Sequence, residues 1–151
     1  MSDLRVLCRV VTYNPATKSI LLVRNKGQDW WYAPGGEWEH TTETLPECAR
    51  REVLEETGRR VRIGKTIYTQ TLYIDEQDST WLEIFWLAEP LDVDAASGHT
   101  DMHGTVEESR WFDQTTLREV TAYPKALQAE FWENIDRALA SPEQYLGHFQ
   151  L

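Results

Sequence analysis

Gly36 to Arg59 reads GEWEHTTETLPECARREVLEETGR, and this stretch holds most of what the chain says about itself. Glu52, Glu55 and Glu56 are spaced i, i+3 and i+4, so a helix would carry all three carboxylates on one face. The helix is well marked. Thr44-x-x-Glu47 is a capping box. Pro46 falls in the first turn, where its missing N–H costs nothing. Gly58 stands where a left-handed residue closes a helix. The spacing predicts a helix over 45–57. Like charges on one face repel by roughly a few tenths of a kcal/mol per pair. A hard divalent cation reverses that sign. Mg²⁺ takes oxygen ligands and favours sites that substrate phosphates complete. A solvated acidic face is the plainer reading of any glutamate-rich helix, so the flanking residues decide.

Pro34-Gly35-Gly36 comes just before, a loop whose backbone can approach a ligand closely. With it, the stretch resembles the box of the Nudix hydrolases, G-x5-E-x7-R-E-U-x-E-E-x-G-U with U apolar. Glu43, seven residues, then Arg51-Glu52-Val53-x-Glu55-Glu56-x-Gly58 fall in place. There are two departures. Six residues rather than five separate Gly36 from Glu43, and Arg59 stands at the last apolar position, with Val61 close by. The surplus residue is placed in His40-Thr41-Thr42.

The resemblance implies an α/β fold, an α/β/α sandwich with a mixed sheet between helices. It implies hydrolysis of a diphosphate linkage, usually in a nucleoside diphosphate joined to another group. It also implies Mg²⁺, with Mn²⁺ as a substitute, on Glu52, Glu55, Glu56 and the Gly36 carbonyl. Arg51 is expected to pair with Glu43. The catalytic set is Arg51, Glu52 and Glu55, with a general base drawn from Glu52, Glu107 and Glu108. For Glu107 and Glu108 the plainer reading is a solvent-facing strand end.

On the substrate side, Arg24 ends the strand before the glycine loop, and its counterpart in several family members contacts phosphate. A guanidinium does so bidentately; a surface arginine in a turn is the alternative. Trp30, Trp31 and Tyr32 lie beside the expected cleft, to stack a base or ribose or to pack in the core. Gly35 and Gly36 complete the expected substrate-binding set. His99 and His103 share i, i+4 spacing but lie in a glycine-containing stretch without helical pattern, so no second metal site is expected there. His40 is expected to be a solvated loop histidine. No proline lies between Pro46 and Pro90, so the downstream proline common in ADP-ribose members is absent. Neither the coenzyme A signature nor the tyrosine of diadenosine polyphosphate members is evident. What remains is a small MutT-like pyrophosphohydrolase of nucleoside triphosphates or similar nucleotides. The alternative is a catalytically silent module that binds or senses a nucleotide, motivated by the surplus loop residue. An isoprenoid diphosphate isomerase lacks a plausible catalytic cysteine.

Composition bounds the rest. One domain is expected over the 151 residues. The net charge of −10, from 25 acidic and 15 basic residues, argues against a nucleic-acid polymer, whose binders need a Lys/Arg surface. A small phosphorylated nucleotide remains a fit where metal and a few arginines offset the field. No apolar run approaches ~20 residues, so no membrane span is expected. MSDLRVLCRV lacks signal-peptide character. Cys8 and Cys48 read as buried reduced thiols, and a cytoplasmic location is expected.

Strands are expected over 4–13, 19–25, 30–33, 61–74, 79–88 and 106–112. Residues 91–105 read as a mobile loop, 115–120 as one or two helical turns, and 124–140 as a helix. Its apolar stripe is Ala126, Leu127, Phe131, Ile135, Ala138 and Leu139.

Overall fold

A computed structural model describes residues 3–92, 99–101, 103–135 and 143–151. Nine strands form one mixed sheet. They are β1 (Asp3–Asn14), β2 (Ser19–Asn25), β3 (Trp30–Tyr32), β4 (Gly35–Glu37), β5 (Val61–Ile74), β6 (Ser79–Pro90), β7 (Val106–Asp113), β8 (Thr121–Tyr123) and β9 (Gln144–Gln150). Among the described residues three α-helices accompany them: α1 (Leu45–Thr57), α2 (Gln114–Leu117) and α3 (Glu130–Ile135). The main strand order is β8-β3-β2-β1-β6-β5-β9, with β4 on β1 and β7 on β2. The β1–β6, β3–β8 and β5–β9 pairs are parallel and the others antiparallel. No helix among the described residues is long and apolar enough to cross a membrane.

β1 organises the molecule. Asp3 to Thr12 pair with β6 along one edge. On the other, Leu7 to Arg9 pair with β4, and Tyr13 and Asn14 with β2. Alternation along β1 sends side chains to two cores. Val11 joins Ile20, Leu22, Trp31, Phe85, Phe112, Phe131 and their neighbours. Cys8 and Val10 join Cys48, Ala49, Val53, Val61 and Ala88 beneath α1. Both thiols are free and buried.

α1 has the bounds its caps predict. Thr44 accepts from the Glu47 N–H, the Glu47 side chain reaches back, and Gly58 closes the helix at φ 70°. The expected helix over 124–140 is corrected. A 3₁₀ turn, Lys125–Gln128, precedes α3, and Ala129 between them leaves helical geometry at φ −141°, ψ −74°. Gln128 is anchored away from the helix axis: its Nε2 donates to the Leu117 and Val120 carbonyls at 3.2 and 2.8 Å. Tertiary hydrogen bonds thus override the helical period. Leu127 and Phe131 are buried as the stripe requires; Ala138 and Leu139 lie outside the described residues. So do parts of the expected 91–105 loop. Gly35 and Gly36, expected in a loop, belong to β4, and β8 and β9 are further strands.

Candidate metal centre and active site

α1 lays its acidic face against β4. Glu52 is buried and Glu56 half-buried, and the Glu56 Oε2 accepts the Gly35 N–H at 3.1 Å. Glu52 lies over Gly36 so closely that a Cβ there would stand 2.5 Å from its carboxylate. Gly35 is constrained harder, since a Cβ would meet the Cys8 carbonyl oxygen at 1.9 Å. Gly35 therefore needs glycine for space against backbone, whereas at Gly36 only the tip of the Glu52 side chain stands in the way. Glu55 completes the face on the turn between them.

Arg51 knits this face to the preceding loop. Its Nε and Nη2 grip the two Glu43 oxygens at 2.9 and 2.7 Å, a bidentate pair. Its Nη1 reaches Glu52 Oε1 at 2.8 Å and Glu55 Oε2 at 3.3 Å. Hydrogen bonding to Arg51 holds the Glu43 carboxyl down at about 2, far below the usual carboxylate range. The helix carboxylates move the other way. Burial pushes Glu56 up to about 8, against the pull of Arg9 and the Gly35 N–H. Burial also raises Glu52.

The surplus loop residue is taken up in a turn at 40–42, where the Glu39 carbonyl accepts the Thr42 and Glu43 N–H groups at 3.0 and 3.2 Å. Glu43 keeps its place: its Oε1 accepts the Glu39 N–H at 3.1 Å and its carbonyl accepts Trp38 Nε1 at 2.9 Å. His40 is exposed and meets the Trp38 ring edge-on, centroids 5.9 Å apart.

Chemically, the donor set fits a hard cation. It comprises three carboxylates against a strand that carries backbone carbonyls, with Glu52 buried and Glu56 half-buried. Among the described residues no three such side chains already converge on one point. Arg51 takes up Glu52 and Glu55 instead, and the Gly35 amide takes up Glu56.

The substrate-side residues separate. Arg24 is engaged by two of the three general-base candidates: its Nη2 lies 3.1 Å from Glu107 and 3.4 Å from Glu108. Its Nη1 donates to the Gln28 carbonyl at 3.0 Å. Glu108 also accepts from Arg110 at 2.6 Å. Trp31 is core, edge-on to Phe112 at 4.9 Å. Trp30 is exposed, and Tyr32 is half-buried with its hydroxyl on Asn25. The histidines dismissed for metal both reach α1. His99 Nε2 lies 2.7 Å from the Glu55 carbonyl, one of the last four that a helix leaves unpaired, and His103 Nε2 lies 3.2 Å from Glu55 Oε2. Their i, i+4 spacing gave no pointer to this contact. Its only sequence signal is Asp101 between them, which accepts the His103, Thr105 and Val106 N–H groups and shapes the turn.

The family match agrees with this geometry. The NUDIX domain family matches residues 3–133, most of the chain. The chain belongs to the NUDIX domain family. The Nudix fold recurs in solved structures of low identity. A NUDIX hydrolase from Nitrosomonas europaea superimposes with a TM-score of 0.73 at 21% identity, covering 100% of this chain and 81% of that one. A UDP-X diphosphatase gives 0.68 at 19%, covering 96% and 68%. An ADP-ribose pyrophosphatase from Streptococcus suis gives 0.63 at 19%, covering 96% and 98%. No curated protein sequence matches this one.

Proposed function

We propose that this Nudix protein is a divalent-cation-dependent pyrophosphohydrolase. Its substrate class is a nucleoside triphosphate or another nucleoside diphosphate derivative. The carrying observation is the Glu52, Glu55, Glu56 face of α1 laid against Gly35 and Gly36. Phosphoanhydrides resist attack because their oxygens are anionic. These carboxylates and the Gly36 carbonyl would hold a Mg²⁺ ion, for which Mn²⁺ would substitute, and the ion would supply charge neutralisation and an acidified water. The chain's residues do the remainder. Arg51 keeps the carboxylates aligned while Glu43 anchors it. Glu52, on the face itself, accepts the water proton. Glu107 and Glu108 set the direction of Arg24, whose guanidinium meets a phosphate oxygen. Trp30 and Tyr32 flank the glycine strand on the nucleoside side.

Two structurally similar proteins are named a UDP-X diphosphatase and an ADP-ribose pyrophosphatase. Those names concern those proteins, and the same type of linkage is carried here as a proposal. The intact Arg51–Glu43 pair supports the enzyme reading over a silent sensing module, because the pair forms despite the surplus loop residue. We place the activity in the cytoplasm, where Cys8 and Cys48 stay reduced. The test is a hydrolysis screen with Mg²⁺ or Mn²⁺ across nucleoside triphosphates, nucleotide sugars and dinucleoside polyphosphates, with products identified. Turnover is expected for at least one, and its loss in excess chelator. Turnover unaffected by chelator would refute the metal assignment.

A further inference from the structure

Two buried polar side chains and one half-buried arginine meet in the middle of three neighbouring strands. Arg9 stands on β1, Glu83 on β6 and Gln70 on β5. Glu83 is 3% exposed and Gln70 7%. Gln70 Nε2 donates to Glu83 Oε1 at 2.7 Å, and Arg9 Nε donates to Glu83 Oε2 at 2.6 Å. Arg9 Nη1 then donates to the Gly35 carbonyl at 3.2 Å. The Gly35 N–H in turn donates to Glu56 Oε2. The chain of hydrogen bonds runs from β5 through β6, β1 and β4 into the acidic face of α1.

A buried ion pair is weak evidence for stability, because apolar residues of similar volume often serve as well or better. Three polar groups tied into one fixed array do something apolar packing cannot: they hold a particular peptide in a particular orientation. Here that peptide joins Gly35 to Gly36: the peptide before it carries the Gly35 N–H that meets Glu56, and the one after it carries the Gly36 carbonyl. The Arg9 guanidinium also lies over the Tyr32 ring, 5.4 Å from its centroid, which fixes its plane.

We propose that Arg9, clamped by Glu83 and Gln70, is a positioning residue that holds Gly35 and thereby the Glu56 carboxylate and the Gly36 carbonyl in the arrangement that receives the divalent cation. The inference rests on the metal-dependent reading above and adds residues outside the box to it. Groups that orient metal ligands typically matter by about 10–100-fold in affinity or activity.

The test pairs Arg9→Met with Glu83→Gln in one protein, so that no buried charge is left alone. Mn²⁺ binding is measured without substrate, by the electron paramagnetic resonance of free Mn²⁺, alongside kcat, KM and the melting temperature. The expected result is Mn²⁺ affinity and kcat each reduced about tenfold or more, with KM changed less than about threefold. Arg9→Lys, which keeps the charge, should recover part of the loss. Gln70→Leu keeps both charges and loosens only the clamp. It should show a smaller loss in the same two quantities, and it carries the test if the double variant fails to fold. Unchanged Mn²⁺ affinity and kcat in a folded variant would overturn the proposal and leave the array purely structural. A raised KM with Mn²⁺ affinity and kcat intact would overturn it too, showing that Arg9 touches substrate directly. If the wild type hydrolyses nothing in the screen, the functional reading fails by itself, while the Mn²⁺ arm still decides this inference.

Discussion

Replacing Glu43 by Gln removes one charge and leaves the shape of the side chain. Glu43 is well suited to a quantitative test because its side chain is only 9% exposed and grips Arg51 through both oxygens. A carboxyl held at about 2, against ~4.3 in an unfolded chain, contributes on the order of 3 kcal/mol at neutral pH. Arg51 keeps Glu52 and Glu55 as partners, so the net loss should be nearer ~2 kcal/mol. For a chain of this size that lowers the melting temperature by about 4–8 °C. The sign follows from the direction of the change. A depressed carboxyl stabilises fully above its unfolded value and loses that contribution as pH falls toward its folded value. Urea denaturation of wild type and Glu43→Gln at pH 7, 5, 4 and 3 should therefore show a constant gap down to about pH 5 that more than halves by about pH 3. A gap that stays fixed to pH 3, or is below ~0.5 kcal/mol at pH 7, would refute the assignment of that energy to the Arg51 pair.

Other outcomes follow from the same geometry. Glu56→Gln should lower turnover at least ~10²-fold, as loss of a transition-state charge stabiliser does, while circular dichroism shows the fold retained. Gly36→Ala and Gly35→Ala should part company. The first displaces only the tip of Glu52, so activity falls with little change in melting temperature. The second drives a methyl into the Cys8 backbone, so thermal denaturation should show a marked loss of stability. Arg24→Ala should raise KM more than it lowers the melting temperature, because its ion partners Glu107 and Glu108 sit toward solvent; steady-state kinetics and a thermal melt together check this.

Local rules made the helix and the long strands readable. Thr44, Pro46 and Gly58 each act within a few residues, and α1 has the bounds they predict. β2 likewise follows from an unbroken apolar run. The three-residue strands β4 and β8 were out of reach because only pairing with β1 and β3 defines them. The break at Ala129 goes with Gln128 reaching the Leu117 and Val120 carbonyls after α2, which no periodicity encodes. The grouping of Arg51, Glu43 and the helix carboxylates was legible from the box. The array of Arg9, Glu83 and Gln70 was not, although one trace of it was visible: a charge in the middle of each of two apolar strands, β1 and β6, is rare unless paired. Which charge pairs with which required the parallel register of those strands.

The turn at 40–42 gives the protein a slack link. Its two threonines are exposed, and it closes onto the Glu39 carbonyl through the Thr42 and Glu43 N–H groups while the Glu43 carboxylate stays in Arg51's grip. Chain added or removed there spends its length in solvent before the helix begins. That makes Thr41 a natural splice point for a fluorophore or a short peptide reporter, carried a few residues from the acidic face without disturbing it. The same slack lets the segment vary in length and chemistry as a rim of the cleft while the machinery behind it keeps its register.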